Sequence, residues 1–259
     1  MKGLRRATLW LAAALLVSSV QAQNRALPLS SLRSGIDFAG RDVQALQADA
    51  AGNPAQLWLQ QGQLLWQTPA GDSQRACSGC HGSVAAMKGV ALRYPRLRDG
   101  TLINLEDQVR QCRGQQQHAP VPAFESDELL ALTMLVTQAS QGLPLNTAID
   151  RKLLPHWRAG AAQFQRRQGQ LNLACTHCHD QHWGQRLYTD ALSQGHPNGY
   201  PLYRLEWQKP GSLERRLRSC YSGIRADVPD WGDLGLRQLS LYLMWRGQGL
   251  PIEVPAVRK

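Results

Sequence analysis

Two copies of one five-residue pattern dominate this chain: Cys77-Ser-Gly-Cys80-His81 and Cys175-Thr-His-Cys178-His179. C-x-x-C-H is the attachment sequence of a c-type haem. The two thiols add to the vinyl groups of the porphyrin, and the adjacent His is held beneath the iron as proximal ligand. A lone C-x-x-C could be a redox dithiol, and an even cysteine count in an exported chain could be a disulfide framework. Two motifs, each followed by His, in a chain with only two other thiols, Cys112 and Cys220, point instead to two covalent haems. Zinc would need a closed set of four ligands, and neither motif has a partner pair nearby.

The composition agrees with a globular protein. Hydrophobic residues make up 43% and charged residues 19%, which excludes a disordered, collagen-like or multi-span membrane chain. Gly 23 and Pro 14 indicate many loops. The first 22 residues read as an export signal: a basic start to Arg6, an apolar run Ala7–Val20, and a cleavage site at Val20-Gln21-Ala22. That run is shorter than the roughly 20 residues a spanning helix needs, so the leader is expected to be cleaved near Ala22. No later segment is long and apolar enough to span, and with the leader removed the mature chain is expected outside the cytoplasm, in the periplasm if the cell is Gram-negative. Of the formal charge of +10, the leader holds Lys2, Arg5 and Arg6 and no acid, leaving the mature chain near +7. A basic surface suits an anionic partner. No zinc-finger spacing, RNA-recognition signature or long Lys/Arg run supports nucleic acid.

The second half repeats the first. Leu105-Glu-Asp-Gln-Val-Arg-Gln-Cys112 aligns with Leu213-Glu-Arg-Arg-Leu-Arg-Ser-Cys220, and each block runs through a helical stretch to Gly-Leu-Pro, at Gly142 and at Gly249. Cys to Gly spans 30 residues in one half and 29 in the other. Upstream, Gly62-Gln63-Leu64 and Gly169-Gln170-Leu171 precede the two motifs and read as a further match. The expected fold is mainly α: two tandem cytochrome c-like domains at 45–147 and 148–259, each wrapped on a covalent haem, behind a signal peptide (1–22) and an N-terminal extension (23–44). Helices are expected from Asn53-Pro54 to about Gln67, from Ser126-Asp127-Glu128 onward, over Ile149–Arg167 and over Leu234–Trp245.

The sixth iron ligand separates electron carriers from catalysts. Beyond the leader the methionines are Met87, Met134 and Met244; Met87 follows His81 by six residues, too close to reach the opposite face, and Met134 and Met244 do not correspond between the halves and read as core residues. Cys112 and Cys220 do correspond, 32 and 42 residues after their motifs. Thiolate ligation of both irons is therefore expected, with a Cys112–Cys220 disulfide or free thiols as alternatives and His118, His182 and His196 as fallback ligands. The surroundings of the two cysteines differ. Gln108 is replaced by Arg216 four residues ahead, Gln117 by Arg225 five residues after, and Ala139 by Arg246, while Arg110 and Arg218 are shared. Guanidinium forks suit oxyanions, and positive charge favours thiolate. The first half thus reads as an electron relay and the second as a reactive sulfur beside an anion site. A plain dihaem electron-transfer cytochrome is the alternative; it leaves the arginine asymmetry unexplained.

These residues resemble a known family, SoxA, the catalytic subunit of L-cysteine S-thiosulfotransferase in the Sox thiosulfate-oxidising system. The resemblance rests on both haem motifs, on Met87-Lys-Gly-Val90, on Leu105–Cys112, on Leu241–Pro251 and above all on Arg216-Leu-Arg-Ser-Cys220-Tyr-Ser-Gly-Ile-Arg225-Ala226. It implies two cytochrome c domains, a monohaem SoxX-type cytochrome c subunit as obligate partner, and oxidative coupling of thiosulfate to a cysteine of the SoxYZ carrier. Two electrons pass through the haems to an electron-accepting cytochrome c. On this sequence the haem-attaching residues are Cys77, Cys80, Cys175 and Cys178, the iron ligands His81, Cys112, His179 and Cys220. Cys220 is also the sulfur centre able to carry a persulfide, with Arg216, Arg225 and Arg246 as the thiosulfate-holding arginines.

Overall fold

Helix starts in this chain are set by short polar side chains, and the three best examples place the rest of the fold. Asn104, Ser126 and Ser212 each accept a hydrogen bond from the backbone amide three residues on, which supplies a partner for one orphan donor of the first turn. In the computed structural model, which describes residues 27–259, they begin α4 (Leu105–Gln115), α5 (Asp127–Gln138) and α7 (Leu213–Gly223). The remaining helices are α1 (Arg41–Ala48), α2 (Gln56–Gln67), the one-turn α3 (Cys77–His81), α6 (Leu154–Gln165) and α8 (Leu234–Arg246). Helix α6 starts five residues later than its apolar pattern suggests. Pro155 lacks an N–H and is tolerated only in a first turn, so the helix opens at Leu154.

Strands are short. β1 (Arg96–Arg98) and β2 (Thr101–Ile103) form one hairpin, and β3 (Arg186–Leu187) and β4 (Asp190–Ala191) another. β5 (Leu202–Arg204) pairs antiparallel with β6 (Lys209–Gly211) and parallel with the C-terminal β7 (Ala256–Arg258). Of the described residues, 27–32 fall in one unit, with a short 3-10 turn at Leu29–Ser31, and Arg33–Lys259 form another. The expected leader, residues 1–22, lies outside the described residues.

Within residues 33–259 the internal repeat is visible as matched packing. α2 crosses α5 at Gly62, and α6 crosses α8 at Gly160. At either glycine a Cβ would collide with a backbone oxygen of the facing helix, Ala131 in one case and Gln238 in the other. Only the absent side chain lets the axes come that close. The partner of Gly62 is therefore Gly160, and the Gly62/Gly169 alignment is out of register. Gly169 instead matches Gly71: both have positive φ, and a Cβ on either would strike the loop that follows α4 or α7. The turns around them are the same, with bridges Ala70–Arg75 and Gln168–Leu173.

Two hydrophobic clusters follow this repeat. One gathers Leu59, Trp66, Tyr94, Ile103, Met134, Leu135 and Val136; the other gathers Trp157, Phe164, Leu217, Tyr221, Leu239, Tyr242 and Trp245. Each also takes in residues from the opposite half: Ile252 and Val254 enter the first, and Leu102 the second. The two Gly-Leu-Pro segments pair with each other, through Gly142 N–H to Ile252 O, Ile252 N–H to Leu143 O and Leu145 N–H to Leu250 O, all 2.9 Å. The halves thus meet along a shared strand-like seam.

Candidate functional site

The first motif forms α3, one turn entered from the hairpin 70–75. Trp66 Nε1 donates to the Gly82 carbonyl (3.0 Å), and its ring lies 5.7 Å from that of His81. Gln117 donates to the Arg75 carbonyl (2.6 Å), 3.9 Å from Cys77 Sγ in the other direction. Arg113, paired with Glu128, holds the far end of Gln117.

The second motif opens into a wider turn at His177–Gln181. His179 Nδ1 lies 2.7 Å from the Ser193 carbonyl. A carbonyl only accepts, so Nδ1 carries the hydrogen and Nε2 keeps its lone pair. That is the tautomer an iron-bound imidazole requires. Burial lowers the pKa of His179; the Ser193 bond opposes this, and the charges of Arg246 and Arg216 add to the lowering, so the ring is neutral. Gly195, at φ +73°, lies against the imidazole, where a Cβ would stand 2.9 Å from the ring. Burial pushes the Cys175 thiol up to about 12 and raises Cys77 and Cys178 as well. Such surroundings suit uncharged thioether sulfur and disfavour a reactive thiolate.

Cys112 and Cys220 sit in the last turns of α4 and α7. Cys112 acts electrostatically on Cys77 and Tyr94, and Cys220 on Cys175, Cys178, Tyr200 and Arg216. Each thiol therefore faces the motif of its own half, and all six cysteines are unbridged. In the first half Gln108 Nε2 donates to Cys112 Sγ (3.3 Å), and its oxygen is taken up by Arg96 (3.0 Å) and Arg98 (3.1 Å). Arg96 and Arg98 lie on β1, distant from the motifs in sequence, and nothing in the helical pattern singles them out. The second half puts the half-buried Arg216 in the place of Gln108. The nearby Cys220 is the largest influence on that guanidinium and raises its pKa further. The one-turn spacing brings cation and sulfur together along one face of α7.

The other two arginines are placed differently. Arg246 is 3% exposed and its guanidinium is occupied: it pairs with Asp180 and donates to the carbonyls of Gln194 and His179. Its ring contact is Phe164, 4.9 Å away. It clasps the loop that carries His179. Arg225 is exposed, at φ +55°, beyond the end of α7. Its structural counterpart is His118 (φ +52°) and not Gln117: the carbonyls of His118 and Arg225 accept the equivalent amides of Asp72 and Gln170. The loop after α4 is one residue longer, which the alignment by counting from Cys misses. The shared Arg110 and Arg218 lie over Phe124 (3.9 Å) and Trp231 (4.3 Å), whose rings stack on each other. His118 and His182 are exposed, His196 is buried with Nε2 3.2 Å from Gln194, and Met134 and Met244 pack with the first cluster.

Comparison with known proteins gives a consistent answer. Residues 61–145 match the family described as SoxA/TsdA, cytochrome c domain. L-cysteine S-thiosulfotransferase subunit SoxA of Pseudaminobacter salicylatoxidans is 34% identical over 236 residues, covering 90% of this chain and 82% of its own. This chain belongs to the SoxA family. The SoxA subunit of Rhodovulum sulfidophilum is 33% identical over 230 residues, covering 88% of this chain and 80% of its own. The crystal structure of SoxXA from P. pantotrophus superposes with a TM-score of 0.85 at 30% identity, over 88% of this chain and 87% of that one. The protein is accordingly a mainly helical SoxA subunit of L-cysteine S-thiosulfotransferase with a cytochrome c domain, which implies c-type haem. The residues of the second motif fit that group: the part-buried sulfurs of Cys175 and Cys178 beside His179 in the right tautomer. Among the described residues no helix is long and apolar enough to cross a membrane.

Proposed function

We propose that this subunit is exported to the periplasm and holds two c-type haems in tandem cytochrome c-like domains, 45–147 and 148–259. With a small monohaem cytochrome partner it joins thiosulfate oxidatively to a cysteine of a carrier protein. Support for a SoxX-type partner comes from the superposed P. pantotrophus protein, which is SoxXA. Cys77, Cys80 and His81 would hold one haem and Cys175, Cys178 and His179 the other, with Cys112 and Cys220 as further sulfur ligands to the two irons. A thiol and thiosulfate combine to an S-thiosulfonate with release of one proton and two electrons, and the bound haems supply the one-electron acceptors this needs.

The roles of the protein residues follow from their chemistry. Arg216 presents a fixed cation one helical turn before Cys220; a guanidinium fork can pair two oxygens of the thiosulfate sulfonate end. That orients the terminal sulfur toward the Cys220 sulfur, the proposed site of persulfide and S–S chemistry. Arg246 contributes at one remove, by holding Asp180 and the His179 loop in place. Arg225 stands outside this pair as an exposed charge suited to steering an anion. The single observation that carries the reading is the replacement of the Gln108–Cys112 contact by Arg216 and Cys220 in otherwise matched helices.

The test is peptide mass analysis of the mature protein from cells that make c-type haem, together with turnover of Cys220→Ala and Arg216→Gln. Two haems, additional sulfur on the Cys220 peptide, no turnover in Cys220→Ala and weakened use of thiosulfate in Arg216→Gln are expected. Full turnover in Cys220→Ala would refute the proposal.

A further inference from the structure

The two cysteine-bearing helices are entered from matched strands. Tyr94-Pro95-Arg96-Leu97-Arg98 in the first half corresponds to Tyr200-Pro201-Leu202-Tyr203-Arg204 in the second. Arg96 opens β1 and pairs with Ile103, the last residue of β2; Leu202 opens β5 and pairs with Gly211, the last residue of β6. In either half one capping residue then leads into the helix, at Leu105 or at Leu213. Arg96 and Leu202 are therefore equivalent by register, as Gln108 and Arg216 are by their place one turn before the cysteine. The exchange is reciprocal. Where the strand carries a guanidinium, the helix carries an amide; where the helix carries the guanidinium, the strand carries the buried Leu202.

The amide of Gln108 has one favourable orientation. Its oxygen accepts from Arg96 Nη2 (3.0 Å) and Arg98 Nη1 (3.1 Å), and its Nε2 donates to Cys112 Sγ (3.3 Å). Turning the amide over would set its N–H groups against two guanidiniums, which only donate, and its oxygen against the lone pairs of sulfur. Arg98 is anchored on the same helix by Gln111 Oε1 (2.7 Å), and Arg96 lies over the Tyr94 ring at 5.0 Å. Two cations from β1 thus fix which end of a neutral side chain meets the sulfur.

We propose that Gln108 is a positioning residue of the first haem site: oriented by Arg96 and Arg98, it holds an N–H···S hydrogen bond on Cys112 and so raises the reduction potential of that haem. This rests on the reading that Cys112 ligates the first iron, and it assigns a role to three residues that reading leaves idle. A thiolate ligand gives electron density to iron and favours the oxidised state; a donor on the sulfur draws density back. The first half then accepts electrons more readily, as a relay must, while its two strand arginines are occupied by Gln108. In the second half the same helical position presents the cation itself. The reciprocal exchange therefore separates a tuned electron relay from an anion site.

The experiment compares wild type with Gln108→Met, both haem-loaded. The swap is neutral, so no charge is added or removed. Resonance Raman spectra of the oxidised protein in ordinary and heavy water read the iron–sulfur stretches. Wild type should show a stretch that shifts on deuteration, and Gln108→Met should lose that shift. In potentiometric titrations the reduced-to-oxidised ratio of one haem at fixed potential should fall roughly tenfold in the variant, the size of one hydrogen bond to a charged acceptor, with the other haem unmoved. A merely structural role would lower stability and leave both readouts in place. Wild-type stretches that ignore deuteration overturn the proposal even if the variant does not fold. A shift that persists in Gln108→Met, or a ratio changed by less than about twofold, overturns it too. Two haems with no iron–sulfur stretch at all defeat the underlying reading and the proposal with it, whereas stretches that are present but insensitive to deuteration defeat only the role of Gln108.

Discussion

The ion pair between Asp107 and Arg237 joins α4 of the first half to α8 of the second, and its removal should be costly. Arg237 Nε donates to Oδ2 at 2.7 Å and Nη2 to Oδ1 at 2.6 Å. The two side chains are only 13% and 7% exposed. Replacing Arg237 by Met keeps much of the volume but leaves a buried carboxylate among Glu106, Glu125 and Glu214. Breaking one side of a buried pair costs about 3–5 kcal/mol. The low end, about 3 kcal/mol, is expected here because Asp107 keeps the Asn104 amide (3.0 Å) through its capping box. Converting Asp107 to Asn in the same chain removes the stranded charge and retains the cap acceptor. The double variant should therefore lie within about 1.5 kcal/mol of wild type, giving a coupling of at least about 1.5 kcal/mol. Urea unfolding of the haem-loaded protein, followed by circular dichroism and haem absorbance at two salt concentrations, measures all four corners of the cycle. A loss below about 1 kcal/mol in Arg237→Met, or a coupling that vanishes in moderate salt, would refute this reasoning and mean that the pair behaves as a surface contact.

Other perturbations follow from single contacts. Gly160→Ala should destabilise by about 1–3 kcal/mol because its Cβ meets a backbone oxygen of α8, whereas Gly223→Ala, with open space around it, should be neutral or slightly stabilising; thermal midpoints of the two variants compare them directly. Arg246→Ala leaves Asp180 unpaired in the interior and should lower stability by about 3 kcal/mol, and Arg246→Lys should not restore it, since a lysine cannot serve both Asp180 and the Gln194 carbonyl in one plane. Urea midpoints of the two variants check this. Glu106 supplies a pH test: its folded-state value of about 8 lies above the ordinary 4.5. The unfolded chain therefore loses this proton first, and stability falls as pH rises from about 4.5 to about 8. Glu106→Gln should remove that decline, with a gain above pH 8 bounded at about 5 kcal/mol; equal urea midpoints for variant and wild type at both ends of the window would contradict it.

What the sequence alone determined here is chemistry that lies within a few residues of chain. C-x-x-C-H needs only local spacing to declare its cofactor. The helices bearing Cys112 and Cys220 announce themselves through a repeated Leu-Glu start, while their caps, Asn104 and Ser212, emerged only from the structure. Arg216 was legible because one turn of helix sets its distance from Cys220. The same reading lost register wherever a loop changed length. Counting from Cys112 pairs Gln117 with Arg225, but the carbonyls facing Asp72 and Gln170 pair His118 with Arg225. A second slip has a different source: matching the Gly-Gln-Leu tripeptides pairs Gly62 with Gly169, whereas the helix crossings, and the equal distance of 15 residues ahead of Cys77 and Cys175, pair Gly62 with Gly160. The use of Arg246 was decided by Asp180, 66 residues away in the chain, and by a loop carbonyl that pattern cannot place beside it. Likewise Asp107 finds Arg237 across 130 residues, and Glu106 meets Glu214 only because the halves close around a common axis. Spacing along a chain fixes which atoms can share a covalent or helical neighbourhood. Which charges are buried together, and so which are neutralised, paired or left holding a proton, depends on how the halves pack.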